Sequence, residues 1–80
     1  MPARAPTNKS LGLAVRELRN RRGLSQEALA HASGLHPTYI SGIERGLRNP
    51  TWRSLGRVSE ALGLKMSELS ALAERLDSRA

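Results

Sequence analysis

The stretch HPTYISGIERGLRNPT, residues 36–51, gathers most of the side chains in this sequence that could do chemistry. His36, Thr38, Tyr39 and Ser41 come first, and charge arrives only with Glu44, Arg45 and Arg48. A helix meant only to face water would usually carry Lys and Glu here, and one meant only for a core would carry more Leu. Hydroxyls, an imidazole and guanidinium groups are hydrogen-bonding chemistry rather than catalytic chemistry. His31 and His36 lie five positions apart around a turn, with no thiol and no carboxylate pair beside them. Neither a nucleophile with its base nor a metal site is implied, so no enzyme activity, metal or cofactor is expected.

Eighty residues make one small domain with little core. With no Phe, and Tyr39 and Trp52 as the aromatic residues, that core must be aliphatic, which suits packed helices. Absence of cysteine fits a reducing compartment, and the expected location is cytoplasmic. The opening MPARAPTNKS has no apolar run, so neither signal peptide nor membrane span is expected. Charge is unevenly placed. Residues 1–57 hold ten basic against three acidic residues, a net of +7, while residues 58–80 hold three against four, a net of −1. A basic front of this kind points to a polyanionic partner.

The elements that must position residues 36–51 are marked by the chain's own punctuation. Leu11, Val15 and Leu18 repeat at helical spacing, predicting a first helix over about Lys9–Arg22 that ends at Gly23. Ser25 is a good N-cap for a second helix carrying Ala28, Leu29 and Ala32 to Gly34. Pro37 opens a third, with Ile40 and Ile43 inward and Gly46 after its end. Pro50 and Thr51 introduce a fourth with Leu55, Val58 and Leu62, and Trp52 is expected to pack at its base. A fifth runs over about Met66–Leu76 with Leu69, Leu72 and Leu76 on one face. The expected organisation is a flexible arm at 1–8, one all-α, five-helix domain at 9–77, and a short tail at 78–80.

Two short helices joined by a glycine turn, the second exposing small polar residues, form a helix-turn-helix arrangement. LSQEALAHASGLHPTYISGIERGLRNPTWRSL resembles the Cro/repressor-type, or xenobiotic-response-element-like, family of bacterial and phage regulators. The shared features are the LSQ opening, the turn glycine, YIS…IE-R-G, R-x-P, and the later EALGL. TYISGIERGLRN in particular is similar to the restriction–modification controller proteins, small dimeric regulators. The resemblance implies a compact lambda-repressor-like fold that binds a pseudo-palindromic operator as a homodimer. The partners it implies are double-stranded DNA, a second copy of the chain and RNA polymerase. Two further binding classes stay open: an antitoxin that also grips a toxin, and a helical interaction adaptor without DNA.

A recognition helix entering a major groove about 12 Å wide needs short hydrogen-bonding side chains. Thr38, Ser41, His36 and Arg48 are the expected base readers, with Gly42 allowing the backbone close to DNA. Tyr39, Arg45, Asn49, Arg53 and Ser54 are expected at phosphates. The resemblance adds Gln26 as a phosphate anchor at the start of the second helix, and a structural ion pair between Arg19 and Glu44. The leucine stripe of the fifth helix, Met66, Leu69, Leu72 and Leu76, is expected to form the dimer seam. Three departures from the family pattern stand out. His36 replaces a better N-cap, Pro37 a basic reader, and Lys65 a polar cap, while Arg57 is expected to be solvated or paired with a carboxylate.

Overall fold

The computed structural model describes residues 6–78, and among these it contains five α-helices and no strand. They are α1 (Asn8–Arg21), α2 (Gln26–Ser33), α3 (Pro37–Glu44), α4 (Trp52–Ala61) and α5 (Met66–Ser78). The ends follow local chemistry. Thr7 caps α1 in a reciprocal box: its Oγ1 accepts from the Ser10 amide at 3.1 Å, and Ser10 Oγ accepts from the Thr7 amide at 2.9 Å. The helix therefore begins at Asn8, inside the segment expected to be an arm. Residues 1–5 of that arm and 79–80 of the tail lie outside the described residues. Ser25 caps α2 and Thr51 caps α4 in the same acceptor role. Thr7→Ala is expected to cost about 1 kcal/mol, the usual worth of an N-cap, and to lower Tm by roughly 4–8 °C. Thermal denaturation followed by circular dichroism checks this.

α1 packs on both α3 and α5, and α2 bridges α3 and α4. The core is the aliphatic cluster Ala14, Val15, Leu29, Ala30, Ile40, Ile43, Val58, Leu62, Leu69, Leu72 and Ala73. Each large aliphatic side chain fully buried there contributes about 1.5–3 kcal/mol. In α2 the inward positions are Leu29 and Ala30, whereas Ala28 is half-buried and Ala32 exposed.

One close approach sets the position of α3. A Cβ added to Gly12 would lie 2.2 Å from the Ile43 carbonyl oxygen and 2.7 Å from that of Glu44. Only a residue without a side chain lets α1 and α3 touch there, so this buried glycine fixes where α3 sits. At the other end of α3, Gly46 has φ +74°, and its would-be Cβ lies 2.9 Å from the Lys9 Cα. A left-handed residue is needed to reverse the chain, and it must also be small.

Two expectations are corrected by the packing. Leu69 is fully buried and Leu72 is 6% exposed within their own chain, so neither has surface to give a dimer seam. α1 covers that face of α5, which leaves Met66 and Leu76 half-buried at its margins. Leu76 borders an open recess of about 370 Å³ with Leu13, Arg16, Glu17 and Asn20. Trp52 is 78% exposed rather than packed. It continues the stripe of Leu55, Val58 and Leu62 but stands one turn beyond the cover that α2 and α5 provide.

Candidate nucleic-acid interface

α3 is held from behind by a polar cluster. Arg19 on α1 donates from Nε to Glu44 Oε2 at 2.6 Å and from NH2 to Glu44 Oε1 at 3.0 Å. This is the two-pronged geometry in which guanidinium and carboxylate bond most strongly. Arg19 NH1 also donates to the Leu24 carbonyl at 2.7 Å, which ties in the turn between α1 and α2. Gln26 Nε2, at the start of α2, donates to Glu44 Oε1 at 3.0 Å. One carboxylate thus joins α1, α2 and α3, with side-chain exposures of 12% for Arg19 and 3% for Glu44. Donating hydrogen bonds to the Glu44 carboxylate raises the Arg19 pKa above its ordinary value, against the opposing effect of burial. With its charge matched and turned inward, Glu44 does not face an approaching polyanion.

Gln26 is therefore oriented by Glu44 rather than standing as a simple phosphate arm. Its amide nitrogen has a second hydrogen, and that is what remains to meet an anion.

The outward side of α3 carries the expected readers. His36, Thr38 and Arg48 are exposed, and Tyr39 and Ser41 are half-buried. His36 caps α3 after all: its Nδ1 accepts from the Thr38 amide at 3.1 Å. Accepting at Nδ1 puts the ring proton on Nε2, so the imidazole presents a donor outward. Pro37 follows as the first helical residue, where its missing N–H costs no helical bond. At the start of α5, Lys65 has no side-chain acceptor, and only the reciprocal half of a capping box forms: Glu68 Oε1 accepts from the Lys65 amide at 2.9 Å.

Gly42 is not where an open backbone approach requires it. It is buried, and a Cβ there would lie 2.5 Å from Arg48 Cγ, so the arginine stem covers it. Covered by that stem, it presents no open face of the kind its expected base contact needs. Arg48 Cζ stands 5.9 Å from the centroid of the Tyr39 ring, within cation–π range.

Arg45, Asn49 and Arg53 are exposed around the end of α3 and the start of α4. Ser54 is half-buried; its amide donates to Thr51 Oγ1 and its hydroxyl oxygen accepts from the Thr51 hydroxyl at 3.0 Å, which leaves the hydroxyl hydrogen as the group able to reach a phosphate. Arg57 is exposed, as expected of a solvated residue. Sequence reasoning missed Gly12, which positions α3 without facing any ligand. Its one signal was a glycine within an otherwise regular helix.

Among the described residues no group of His, Asp and Glu is arranged to hold a metal, and no helix is long and apolar enough to cross a membrane. The geometry is that of a fixed helix presenting short polar side chains between exposed guanidinium groups.

Comparison with known proteins agrees with this arrangement. A helix-turn-helix family model matches residues 15–69. Control protein C.BamHI of Bacillus amyloliquefaciens is 44% identical over 59 residues, 72% of this chain and 73% of its own. The solved restriction–modification controller protein C.AhdI from Aeromonas hydrophila is 42% identical, with a TM-score of 0.77 over 78% of this chain and 94% of its own. Controller protein C.Esp1396I, solved as a tetramer in complex with its natural 35 base-pair operator, gives a TM-score of 0.81 at 31% identity, covering 89% of this chain and 93% of its own. The chain belongs to the XRE-type helix-turn-helix family of DNA-binding transcription regulators, and its relatives include restriction–modification controllers.

Proposed function

We propose that the chain is a controller-type regulator that binds a pseudo-palindromic operator as a homodimer, with α3 in the major groove. The observation that carries this reading is the division of α3. One side is locked by Arg19, Gln26 and Glu44, and the other presents His36, Thr38, Ser41 and Arg48. In this reading those four reach base edges, while Gln26, Tyr39, Arg45, Asn49, Arg53 and Ser54 hold phosphates. One helix reads only a few base pairs, so useful affinity needs two units on half-sites about 10 base pairs apart. Met66 and Leu76 are what α5 leaves for a second copy. RNA polymerase is the further partner, and the cytoplasm the place of action. An adaptor with no role at DNA would leave the exposed cations around α3 unexplained.

Selection from a random duplex library, with the recovered site titrated across salt, tests the reading. A two-fold site is expected, with affinity falling linearly on a log–log plot by roughly 0.9 per phosphate neutralised. Thr38→Ala combined with Ser41→Ala is expected to change which sequence wins, whereas Arg53→Ala should weaken all sequences alike. Enrichment of no sequence by the wild-type chain would sink the reading.

A further inference from the structure

Gly42 lies inside α3, where alanine would make the better helix. What occupies the missing Cβ is the stem of Arg48. The added atom would sit 2.5 Å from Arg48 Cγ, 3.4 Å from Nε and 3.5 Å from Cδ. The backbone brings that stem into place. After Gly46 reverses the chain, the amides of Leu47 and Arg48 both donate to the Gly42 carbonyl, at 2.9 and 3.2 Å. The loop thus folds back onto the helix it has just left. Tyr39 lies three residues before Gly42, on the same face, and the Arg48 guanidinium reaches its ring. Arg48 therefore lies along α3, with its stem over Gly42 and its head at Tyr39.

We propose that Gly42 is a positioning residue for DNA recognition: the side chain it lacks is the seat that holds Arg48 along the recognition helix before DNA arrives. The proposal rests on the reading that α3 enters the major groove. An arginine ordered in advance loses less rotamer freedom on binding, and its planar fork is presented already aimed. A methyl group at position 42 would evict the stem. It would not break the fold, because the crowded atoms belong to a flexible side chain and not to backbone.

The test has two arms. In the free protein, NMR should show Overhauser contacts from Arg48 side-chain protons to Gly42 Hα and to the Tyr39 ring. The Tyr39 contacts should disappear in Gly42→Ala, while thermal denaturation shows the domain still folded. In the second arm, operator affinity is measured for wild type, Gly42→Ala, Arg48→Ala and the double variant. Gly42→Ala is expected to weaken binding about 3–10-fold, the factor for re-ordering one long side chain. It should add nothing in the Arg48→Ala background, because both changes remove the same thing.

Equal losses from Gly42→Ala in both backgrounds would overturn the proposal, since the glycine would then act without Arg48. So would Arg48–Tyr39 contacts that survive in Gly42→Ala, or an Arg48→Ala chain that binds as tightly as wild type. Should Gly42→Ala fail to fold, the double variant relieves the crowding. Its folding would support the seat, and its failure would overturn it. A wild-type chain that selects no duplex overturns both this proposal and the functional reading beneath it, and it does so before any variant is made.

Discussion

Glu44→Ala is expected to destabilise the domain by about 3 kcal/mol, the low end for breaking a buried pair, because it strands a half-buried guanidinium that had a two-pronged partner. Chains of 80 residues have total stabilities of about 4–12 kcal/mol, so the loss takes a large share of the total and unfolds much of the population only at the low end of that range. Gln26 would also lose the acceptor at 3.0 Å that orients its amide. Arg19→Ala should be as damaging, since Glu44 is the more deeply buried partner at 3% exposure. Arg19→Met combined with Glu44→Leu is expected to recover most of the loss, because packed apolar groups replace both charges at once. Urea denaturation of the four proteins measures this, with the slope watched for loss of two-state behaviour. Additive losses in the double variant would mean that the two side chains act through other contacts and not through each other. The effect should also be nearly insensitive to salt, unlike the DNA affinity, because buried pairs are poorly screened.

The second large effect belongs to a residue with no polar atom in its side chain. Gly12→Ala places a methyl carbon 2.2 Å from one backbone carbonyl oxygen and 2.7 Å from the next. Neither can rotate away, so α1 and α3 must separate. Overpacking usually costs about 1–3 kcal/mol, and a clash with two carbonyl groups lies at or above the top of that range. The better helix propensity of alanine returns at most about 1 kcal/mol. The expected net result is a fall in Tm of roughly 10–20 °C. Operator affinity should fall in parallel for every sequence, because the whole of α3 is displaced rather than one reader. Calorimetry and the salt-titrated binding assay check the two parts.

The contrast between Gly12 and Gly42 shows what was legible in the chain and what was not. Helix ends could be read because capping is local. Ser25 and Thr51 accept from amides within three residues, and each of the first four helices is followed by a glycine with positive φ; Thr7 caps in the same way but lies in the segment expected to be an arm. The inward stripes of α3 and α4 could be read because spacing fixes which face a residue occupies. Spacing does not say what covers that face. Leu69 and Leu72 were read as surface because the length of α1 against α5 is a tertiary fact. Trp52 was read as buried because its spacing continues the stripe, and nothing local says where the neighbouring helices stop. Gly42 could be singled out as a missing side chain, but the space it leaves is filled by a residue from the following loop. His36 looked like a poor cap because imidazoles cap rarely, yet its Nδ1 is placed to accept.

Glu44 holds α3 through atoms that no reader shares. His36, Thr38, Ser41 and Arg48 make none of the contacts that lock the helix to α1 and α2. In the proposed reading Thr38, Ser41 and Arg48 can therefore drift under mutation with little loss of stability, whereas His36 also caps α3 and the holders cannot change. On the proposed assignment of the readers, a few substitutions are expected to give this scaffold a new operator and to end recognition of the old one. Two such regulators could then work side by side in one cell without crosstalk. For an engineer, the same separation makes α3 and the loop after it a replaceable cassette: randomise positions 38, 41 and 48, leave Gly12, Arg19, Gln26, the His36 cap and Glu44 untouched, and most of the library should still fold.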